Sequence, residues 1–250
     1  MEQLTPEQFK RYSRQIMLME FGLDGQTRLH NAHAVIFGLG GLGSPVSVYL
    51  TAAGVGRLTL VDFDTVDESN LQRQIVHRES SVGQPKVESA KTTLQALNRW
   101  TRIDTFNGVP DEDTLDNLIS GADVVLDCTD NFDARFAINA ACARARVPLV
   151  SAAAIRWEGQ LSVFDFTDPD CPCYQCLYKD ASMEGMTCAH SGVMSPVVGM
   201  MGSMQALEAI KLLAGLPTLK GKLLLVDGLT MQFRTLTLPK DPACPVCHPD

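Results

Sequence analysis

The sequence predicts an α/β fold with a mostly parallel sheet that continues into an antiparallel C-terminal extension. Short apolar runs alternate with helical patterns over residues 34–150, which is typical of a parallel sheet covered on both faces. After residue 151 the strands alternate apolar and polar residues, and the last two flank Asp227-Gly228. Two pairs of cysteines in this second half predict a zinc site that joins the C-terminal tail to a mid-chain loop at the flank of the sheet.

Apolar runs and cap residues locate the elements of the first half. Thr5 caps a first helix, with Pro6 at its first position and Gln8 three residues after the cap. Strands are predicted at 34–37, 58–61, 103–106 and 124–126 and from 149, and further helices at 42–53, 86–97, about 113–119 and 132–144.

The second half has fewer regular elements. It is predicted to contain strands at 160–166, 223–226 and 232–238, a loop-rich stretch over about 167–194, and an apolar helix over 196–214. The chain contains no internal repeat and no low-complexity segment. We therefore predict one domain over residues 1–250.

Composition and charge exclude several classes of function. The 250 residues are 45% hydrophobic and 20% charged, which is an ordinary globular composition. A net charge of −8 gives no electrostatic help to nucleic-acid binding. The N-terminus lacks a signal-peptide pattern, and no uninterrupted apolar stretch approaches the roughly 20 residues of a membrane span. We therefore expect a cytoplasmic protein that binds neither nucleic acid nor membrane.

A glycine loop lies between the first strand and the next helix. Its sequence is Gly38-Leu39-Gly40-Gly41-Leu42-Gly43, and it matches the phosphate-binding pattern of Rossmann-like folds. Asp62 follows 24 residues after Gly38, at the end of the second strand, where a carboxylate binds ribose hydroxyls. Asp64 is two residues further on. On these residues alone, NAD(P) and ATP both remain possible ligands.

Three further segments favour a triphosphate. The segments are Ser69-Asn70-Leu71-Gln72-Arg73-Gln74, Gly83-Gln84-Pro85-Lys86 and Asp127-Cys128-Thr129-Asp130-Asn131. Because ligands bind at the carboxyl ends of the strands, we expect these segments to converge on the glycine loop. They would supply Arg73 and Lys86 as cations for the phosphates and Asp130 as a ligand for Mg²⁺. A dehydrogenase has no use for this combination.

Four cysteines form two C-x-x-C pairs, Cys173/Cys176 and Cys244/Cys247. Four thiolates at this spacing bind one tetrahedral zinc and leave no open position, so the predicted site is structural. A redox role for the pairs is the alternative. Cys171 and His248 are further candidate ligands.

Cys188 stands apart from these pairs in a loop with His190 two residues later. A loop cysteine is a nucleophile when its surroundings favour the thiolate. An unreactive exposed thiol explains the same residue equally well.

Taken together, these motifs resemble those of one enzyme family. Arg11-Tyr12-Ser13-Arg14-Gln15-Ile16, the glycine loop, the segment 69–74, Val82-Gly83-Gln84-Pro85-Lys86, the segment 127–131 and the paired cysteines are similar to motifs of the bacterial E1-like activating enzymes, the ThiF/MoeB/HesA family. The resemblance extends from about residue 11 to residue 247.

The resemblance implies a homodimer that binds Mg-ATP. Each subunit would adenylate the C-terminal glycine of a ubiquitin-like sulfur-carrier protein, whose Gly-Gly tail enters the cleft, and release pyrophosphate. It implies nucleotide contacts by Gly38, Gly40, Gly41, Gly43, Asp62, Asp64, Ser69, Asn70, Leu71, Gln72, Arg73, Lys86, Asp130 and Asn131.

The resemblance also implies individual roles and a division of the chain. Asp62 would bind ribose, Asn70, Arg73 and Lys86 would contact phosphates, and Asp130 would hold Mg²⁺. Arg14 would reach the neighbouring subunit's site, and Cys188 matches the family's sulfur-transfer cysteine. We divide the chain into an N-terminal helical segment (1–30), a Rossmann-like half (31–150) and a carrier-binding and zinc half (151–250).

The identity of the carrier is left open by these motifs. Residues 153–160 favour the molybdopterin-synthase small-subunit type of carrier, with the thiamine sulfur carrier as the alternative. The chain ends three residues after Cys247, without a rhodanese-like domain, so a separate protein would donate the sulfur. Two alternatives from other classes are an NAD-dependent oxidoreductase and a non-catalytic scaffold for a ubiquitin-like partner.

Overall fold

Strands and helices alternate along most of the chain, and a computed structural model describes residues 2–179 and 192–247. The strands are β1 (His33–Phe37), β2 (Arg57–Asp62), β3 (Arg102–Asn107), β4 (Val124–Asp127), β5 (Leu149–Ile155), β6 (Glu158–Phe164), β7 (Lys222–Asp227) and β8 (Gln232–Thr237). The helices are α1 (Pro6–Ile16), α2 (Gly22–Asn31), α3 (Gly43–Ala53), α4 (Lys86–Leu97), α5 (Glu112–Ile119), α6 (Phe132–Ala145), α7 (Tyr174–Leu177) and α8 (Ser195–Ala214).

The strand order confirms the predicted mixed sheet. These eight strands form one sheet in the order β3-β2-β1-β4-β5-β6-β7-β8. Strands β1 to β5 pair in parallel, and each pair from β5 to β8 is antiparallel. The order reverses between β1 and β4, which opens a crevice at the carboxyl ends of those two strands.

The central strands are buried on both faces, as their uninterrupted apolar runs predict. Along β1, Ala34 and Ile36 contribute to the core under α2, α3, α4 and α8. Val35 and Phe37 point to the other face, where they join the core under α5 and α6. Alternate residues of one strand thus support two cores, and the loops that follow β1 and β4 are held between them.

Two helices were not predicted from the sequence, α2 and α7. Helix α2 begins at Gly22 and contains Gly25, and two glycines in ten residues give it a weak intrinsic helix propensity. A side chain at Gly25 would have its Cβ 2.8 Å from the Phe21 ring, so the glycine is required for packing. Tertiary contact therefore outweighs the local propensity.

In most of the predicted elements the boundaries shift by one or two residues, and the largest shift is in β6. Helix α5 starts at Glu112 because Asp111 caps it, with Thr114 N donating to Asp111 Oδ1 at 2.9 Å. Strand β6 starts at Glu158 rather than 160 and ends at Phe164 rather than 166, and β8 ends at Thr237.

Helix α8 is long and apolar enough to cross a membrane by length and composition, and among the described residues it is the one helix with these properties. It packs on α2, α3, β5 and β6, and Val197, Val198 and Met201 are buried in the core. A Cβ at Gly202 would lie 2.5 Å from the Leu42 carbonyl oxygen, so the helix approaches the loop before α3 closely. These contacts identify α8 as the central core helix.

Two histidines are held in positions that disfavour their charged form. His77 is buried, and burial lowers its pKa, as does the nearby Lys86; its Nε2 lies 3.1 Å from the Leu39 carbonyl oxygen, and this contact has the opposite effect. Burial and the charge of Arg57 lower the pKa of half-buried His33, whose Nε2 lies 2.8 Å from Thr59 Oγ1.

We expect these histidines to make the fold sensitive to mild acid. Because their folded-state pKa values lie below the ordinary value of 6.5, the unfolded chain takes up protons first as the pH falls. The free energy of unfolding should therefore decrease as the pH falls below 6.5. This decrease should end once the pH is below the folded-state pKa values of both histidines. Urea denaturation between pH 7.5 and pH 5.5 measures this slope, and the double variant His33→Gln/His77→Gln should show a shallower one. An identical slope in the double variant would contradict the assignment.

Candidate functional site

A cleft of about 1130 Å³ lies at the carboxyl ends of β1, β2 and β4. The predicted segments do converge there: Gly40 and Gly41, Asp62, Lys86 and Asp130 all line it. Residues of β6 and β8, among them Gln160 and Arg234, line the opposite side. The cleft therefore joins the Rossmann-like half of the chain to its antiparallel extension.

The glycine loop needs its glycines for steric reasons. Gly38 has φ +88°, and a Cβ there would lie 2.8 Å from the Cys128 carbonyl oxygen. A Cβ at Gly43 would lie 1.9 Å from the Gly38 carbonyl oxygen, and one at Gly41 would lie 2.5 Å from Val198 Cγ1. Gly38, Gly40 and Gly41 line the cleft, whereas Gly43 closes the turn behind it. The backbone is thus exposed to a ligand without intervening side chains.

The peptide groups of this loop are held from two sides. Leu39 N donates to Asp62 Oδ2 at 2.6 Å, and the Leu39 carbonyl oxygen lies 3.1 Å from His77 Nε2. Asp62 Oδ1 accepts a hydrogen bond from Asp64 N at 2.8 Å. Each carboxylate oxygen of Asp62 retains acceptor capacity, so the residue can position the loop and still accept from a ribose hydroxyl.

Lys86 is the first residue of α4, and its side chain is only 6% exposed. Its Nζ is 2.7 Å from Asp64 Oδ2, and the Asp64 side chain is 49% exposed at the rim of the cleft. An ammonium group has three donors, so this ion pair leaves further donors for a phosphate.

The segment 69–74 directs only some of its residues into the cleft. Asn70, Arg73 and Gln74 line it. Ser69, Leu71 and Gln72 are not among the lining residues; Ser69 Oγ donates to Asp67 Oδ1 at 2.5 Å, and Gln72 is exposed. The sequence did not identify Gln74 as a cleft residue, because an irregular turn has no periodicity that tells which side chains face the cleft.

The loop after β4 carries the remaining predicted residues. Asp130 is exposed and lines the cleft beside Asn131, whose Oδ1 accepts from Ala134 N at 2.8 Å and caps α6. Arg14 is exposed on α1 and is not among the residues that line the cleft of its own chain. Cys188, His190 and His248 lie outside the described residues.

A buried network under this loop was not foreseen. Arg135 is almost fully buried; its Nη2 donates to the carbonyl oxygens of Thr129 and Ala152, the latter at 3.0 Å. Its Nη1 lies 3.7 Å from Oδ2 of the fully buried Asp127. A sequence signal did exist, since a carboxylate that ends an apolar strand requires a buried partner.

The four predicted cysteines lie together. All four Sγ atoms of Cys173, Cys176, Cys244 and Cys247 are within 4.8 Å of one another, with Cys173–Cys244 at 3.5 Å and Cys176–Cys247 at 3.4 Å. A tetrahedral zinc with Zn–S bonds of about 2.3 Å requires S···S distances of about 3.8 Å. Burial and the neighbouring thiols raise the pKa of Cys173 to about 12, so without a cation this thiol stays protonated. Cys171 is buried outside the cluster.

Comparison with known proteins agrees with this geometry. The ThiF family profile matches residues 12–246. The chain is 49% identical to the molybdopterin-synthase adenylyltransferase of Escherichia coli (strain K12), with 99% of each protein covered. It is 44% identical to the sulfur carrier protein ThiS adenylyltransferase of the same organism, over 98% of this chain and 97% of that protein.

Solved structures share the fold. The structure of E. coli MccB with ATP superimposes with a TM-score of 0.83 at 25% identity, covering 95% of this chain and 73% of that one. The structure of PaaA gives a TM-score of 0.81 at 24% identity, covering 96% of this chain and 76% of that one, and supports the fold alone. On the family match and these identities, the chain belongs to the ThiF family.

Proposed function

We propose that this protein uses ATP to adenylate the C-terminal glycine of a ubiquitin-like sulfur-carrier protein and releases pyrophosphate. One observation carries the proposal: a glycine loop, the cations Arg73 and Lys86 and the carboxylate Asp130 line a single cleft. Two full-length relatives are named as adenylyltransferases, and the fold is that of a protein solved with ATP. An oxidoreductase would not need this set of charges.

The proposed reaction needs positioning rather than a protein nucleophile. The carrier's terminal carboxylate attacks the α-phosphorus of ATP, a P–O bond forms, and the bond to the leaving pyrophosphate breaks. Gly40 and Gly41 would lie against the nucleotide, Asp62 would accept from the ribose, and Asn70, Arg73 and Lys86 would donate to phosphates. Asp130 would hold Mg²⁺, which would supply positive charge that neutralises the phosphates.

The second half of the chain would receive the carrier. Gln160, Asp227, Gln232 and Arg234 line the cleft on the side away from the glycine loop, where an extended Gly-Gly tail would enter. We favour the molybdopterin-synthase type of carrier, because identity to that E. coli relative is 49% against 44% for the ThiS enzyme. In this division residues 31–150 bind the nucleotide, and residues 151–250 bind the carrier and zinc.

Pyrophosphate–ATP exchange tests the proposal directly. Purified protein is incubated with each candidate carrier and with the same carrier lacking its terminal glycine. Exchange that depends on the terminal glycine is expected, and the carrier that supports it identifies the substrate. Lys86→Ala and Asp130→Ala should each reduce exchange by about 10²-fold or more with the fold retained, because each removes a group that stabilises phosphate charge.

Lys91→Ala, on the same helix as Lys86, and Asp113→Ala, at an exposed position of α5, are matched controls that should exchange normally. Nicotinamide binding without ATP binding would instead indicate the oxidoreductase, and carrier binding without exchange would indicate the scaffold. Undiminished exchange in Lys86→Ala or Asp130→Ala would refute the site assignment.

We infer that the cysteine cluster holds a structural zinc ion that joins the C-terminal segment to α7. Elemental analysis should give one zinc per chain, and Cys244→Ser should lose it and unfold at a lower temperature, because zinc binding contributes folding free energy. Cys171→Ser is the matched control: this buried thiol accepts from Asp165 N at 3.3 Å, a contact that a hydroxyl can keep, so zinc content should not change. A metal-free wild type of undiminished stability would refute the site.

We also propose a homodimer in which Arg14 acts in the partner's cleft. Arg14 is exposed and does not line its own cleft, and large apolar side chains near it are exposed, among them Phe9, Met17 and Met19. An arginine that one subunit inserts into the phosphate site of the other stabilises the negative charge of the transition state there.

Complementation tests the action of Arg14 between subunits. Arg14→Ala and Lys86→Ala are each expected to be inactive alone. When the two variants are co-expressed and pair at random in a two-fold symmetric dimer, about half of the dimers are mixed. Each mixed dimer contains one intact cleft out of two, so about a quarter of wild-type activity should return. Light scattering confirms the assembly. No recovery in a verified mixed dimer would show that Arg14 does not act across the interface.

A further inference from the structure

The buried imidazole of His77 contacts all three segments that carry the proposed phosphate-binding groups. His77 is 4% exposed and is not among the residues that line the cleft. Its backbone N–H donates to the Gln74 carbonyl oxygen at 3.0 Å, at the end of the segment 69–74. Its ring reaches the glycine loop at the Leu39 carbonyl oxygen and helix α4 at Ser89. The ring therefore joins parts of the site that are distant in the sequence.

The partners of the ring determine which nitrogen carries hydrogen. A carbonyl oxygen only accepts, so Nε2, which lies 3.1 Å from the Leu39 oxygen, must donate to it. Nδ1 lies 3.0 Å from Ser89 Oγ, and this hydroxyl donates to it when the ring is neutral. Nε2 carries hydrogen in this neutral tautomer and in the charged ring alike. The bond to Leu39 is therefore present in both protonation states.

This bond orients one peptide group of the glycine loop. In a trans peptide the C=O of one residue and the N–H of the next point in opposite directions, and none of the described peptide bonds is cis. The Leu39 oxygen faces His77 behind the loop, so Gly40 N–H points away from His77, on the side where Gly40 lines the cleft. Gly40 N has no hydrogen-bond partner in residues 2–179 and 192–247, so it can donate to a phosphate oxygen.

This peptide would turn over easily without a partner for its oxygen. Gly40 has no Cβ, so either sign of φ costs it little. The preceding peptide is held separately, because Leu39 N donates to Asp62 Oδ2 at 2.6 Å. The Leu39 carbonyl, in contrast, has His77 as its one hydrogen-bond partner within the part of the chain that the structure describes. A reversed peptide would present a carbonyl oxygen to the phosphates, and two acceptors repel each other.

We propose that His77 is a positioning residue of the nucleotide site: it holds the peptide between Leu39 and Gly40 with the N–H toward the phosphates. Through Ser89, one turn after Lys86, the same ring fixes the glycine loop relative to helix α4. The proposal rests on the ATP site of the proposed function. It adds a residue that acts on the phosphates through a backbone amide and does not touch the nucleotide.

Two substitutions separate the two contacts of the ring. The side-chain nitrogen of His77→Gln lies as many bonds from Cβ as Nε2 does, so it can keep the bond to Leu39. His77→Asn reaches only the position of Nδ1 and can keep the contact with Ser89 alone. In calorimetry on the full-length protein without the carrier, Mg-ATP should bind His77→Asn about tenfold more weakly and His77→Gln within about twofold of wild type. Adenosine, which has no phosphate, should bind both variants as it binds the wild type.

Thr93→Val is the matched control for a loss of stability. Thr93 Oγ1 donates to the Val76 carbonyl oxygen at 2.8 Å, so it joins helix α4 to the residue before His77, and it is not among the residues that line the cleft. This variant should unfold at a lower temperature and bind Mg-ATP normally. Wild-type affinity in His77→Asn, an equal loss in His77→Gln or Thr93→Val, or an equal loss for adenosine would overturn the proposal.

The same measurements distinguish a failure of this proposal from a failure of the proposed function. Wild-type protein that binds Mg-ATP but shows no carrier-dependent exchange would refute carrier adenylation, and the comparison between His77→Asn and His77→Gln would still decide the role of His77. Carrier-dependent exchange with equal Mg-ATP affinity in wild type and His77→Asn would overturn the role of His77 alone. Wild-type protein that does not bind Mg-ATP would overturn both.

Discussion

The buried carboxylate of Asp127 is the interaction on which the floor of the cleft depends. It ends β4 and is fully buried, so its charge must be matched by donors from other elements. Its Oδ1 accepts from Thr129 N at 3.0 Å and from Thr129 Oγ1 at 2.6 Å, and its Oδ2 accepts from Ser151 Oγ at 2.8 Å. Arg135 on α6 supplies the opposite charge. One group thus fixes the loop that carries Asp130, the next strand and a covering helix.

The same network links both cores and the cysteine cluster. Gln205 of α8 donates from Nε2 to the carbonyl oxygens of Asp127 and Val150 at 2.8 and 2.9 Å. These bonds connect the central core helix to the end of β4, where the strand order reverses. One turn beyond Arg135, Asn139 accepts from Tyr174 N at 2.9 Å and lies 3.7 Å from Cys173 Sγ. Helix α6 therefore carries the partner of Asp127 on one turn and the anchor of the cysteine cluster on the next, so the cluster and the cleft share a scaffold.

The sequence was sufficient for features whose signal is local. Apolar periodicity located the strands, and the strand–glycine–helix succession placed the glycine loop and Asp62 at the cleft. The four cysteines were found by their spacing alone. Arg135 was missed because its contacts are with residues that the fold brings close, the carboxylate of Asp127 and the carbonyl oxygens of Thr129 and Ala152. Helix α2 was missed because glycines that disfavour it locally are required by packing against Phe21.

An acidic chain can hold a triphosphate because its cations are placed before the ligand arrives. The net charge is −8, yet the ammonium group of Lys86 is buried in the cleft and paired with the half-exposed Asp64. A buried charge without a partner would be costly, and the rim carboxylate of Asp64 offsets that cost while about half of its side chain stays exposed to water. Since Asp64 takes one of the three donors of Lys86, a phosphate would find further donors there, and binding would not require a cation to be newly buried. Much of the electrostatic preorganisation of the site is therefore already present in the folded chain.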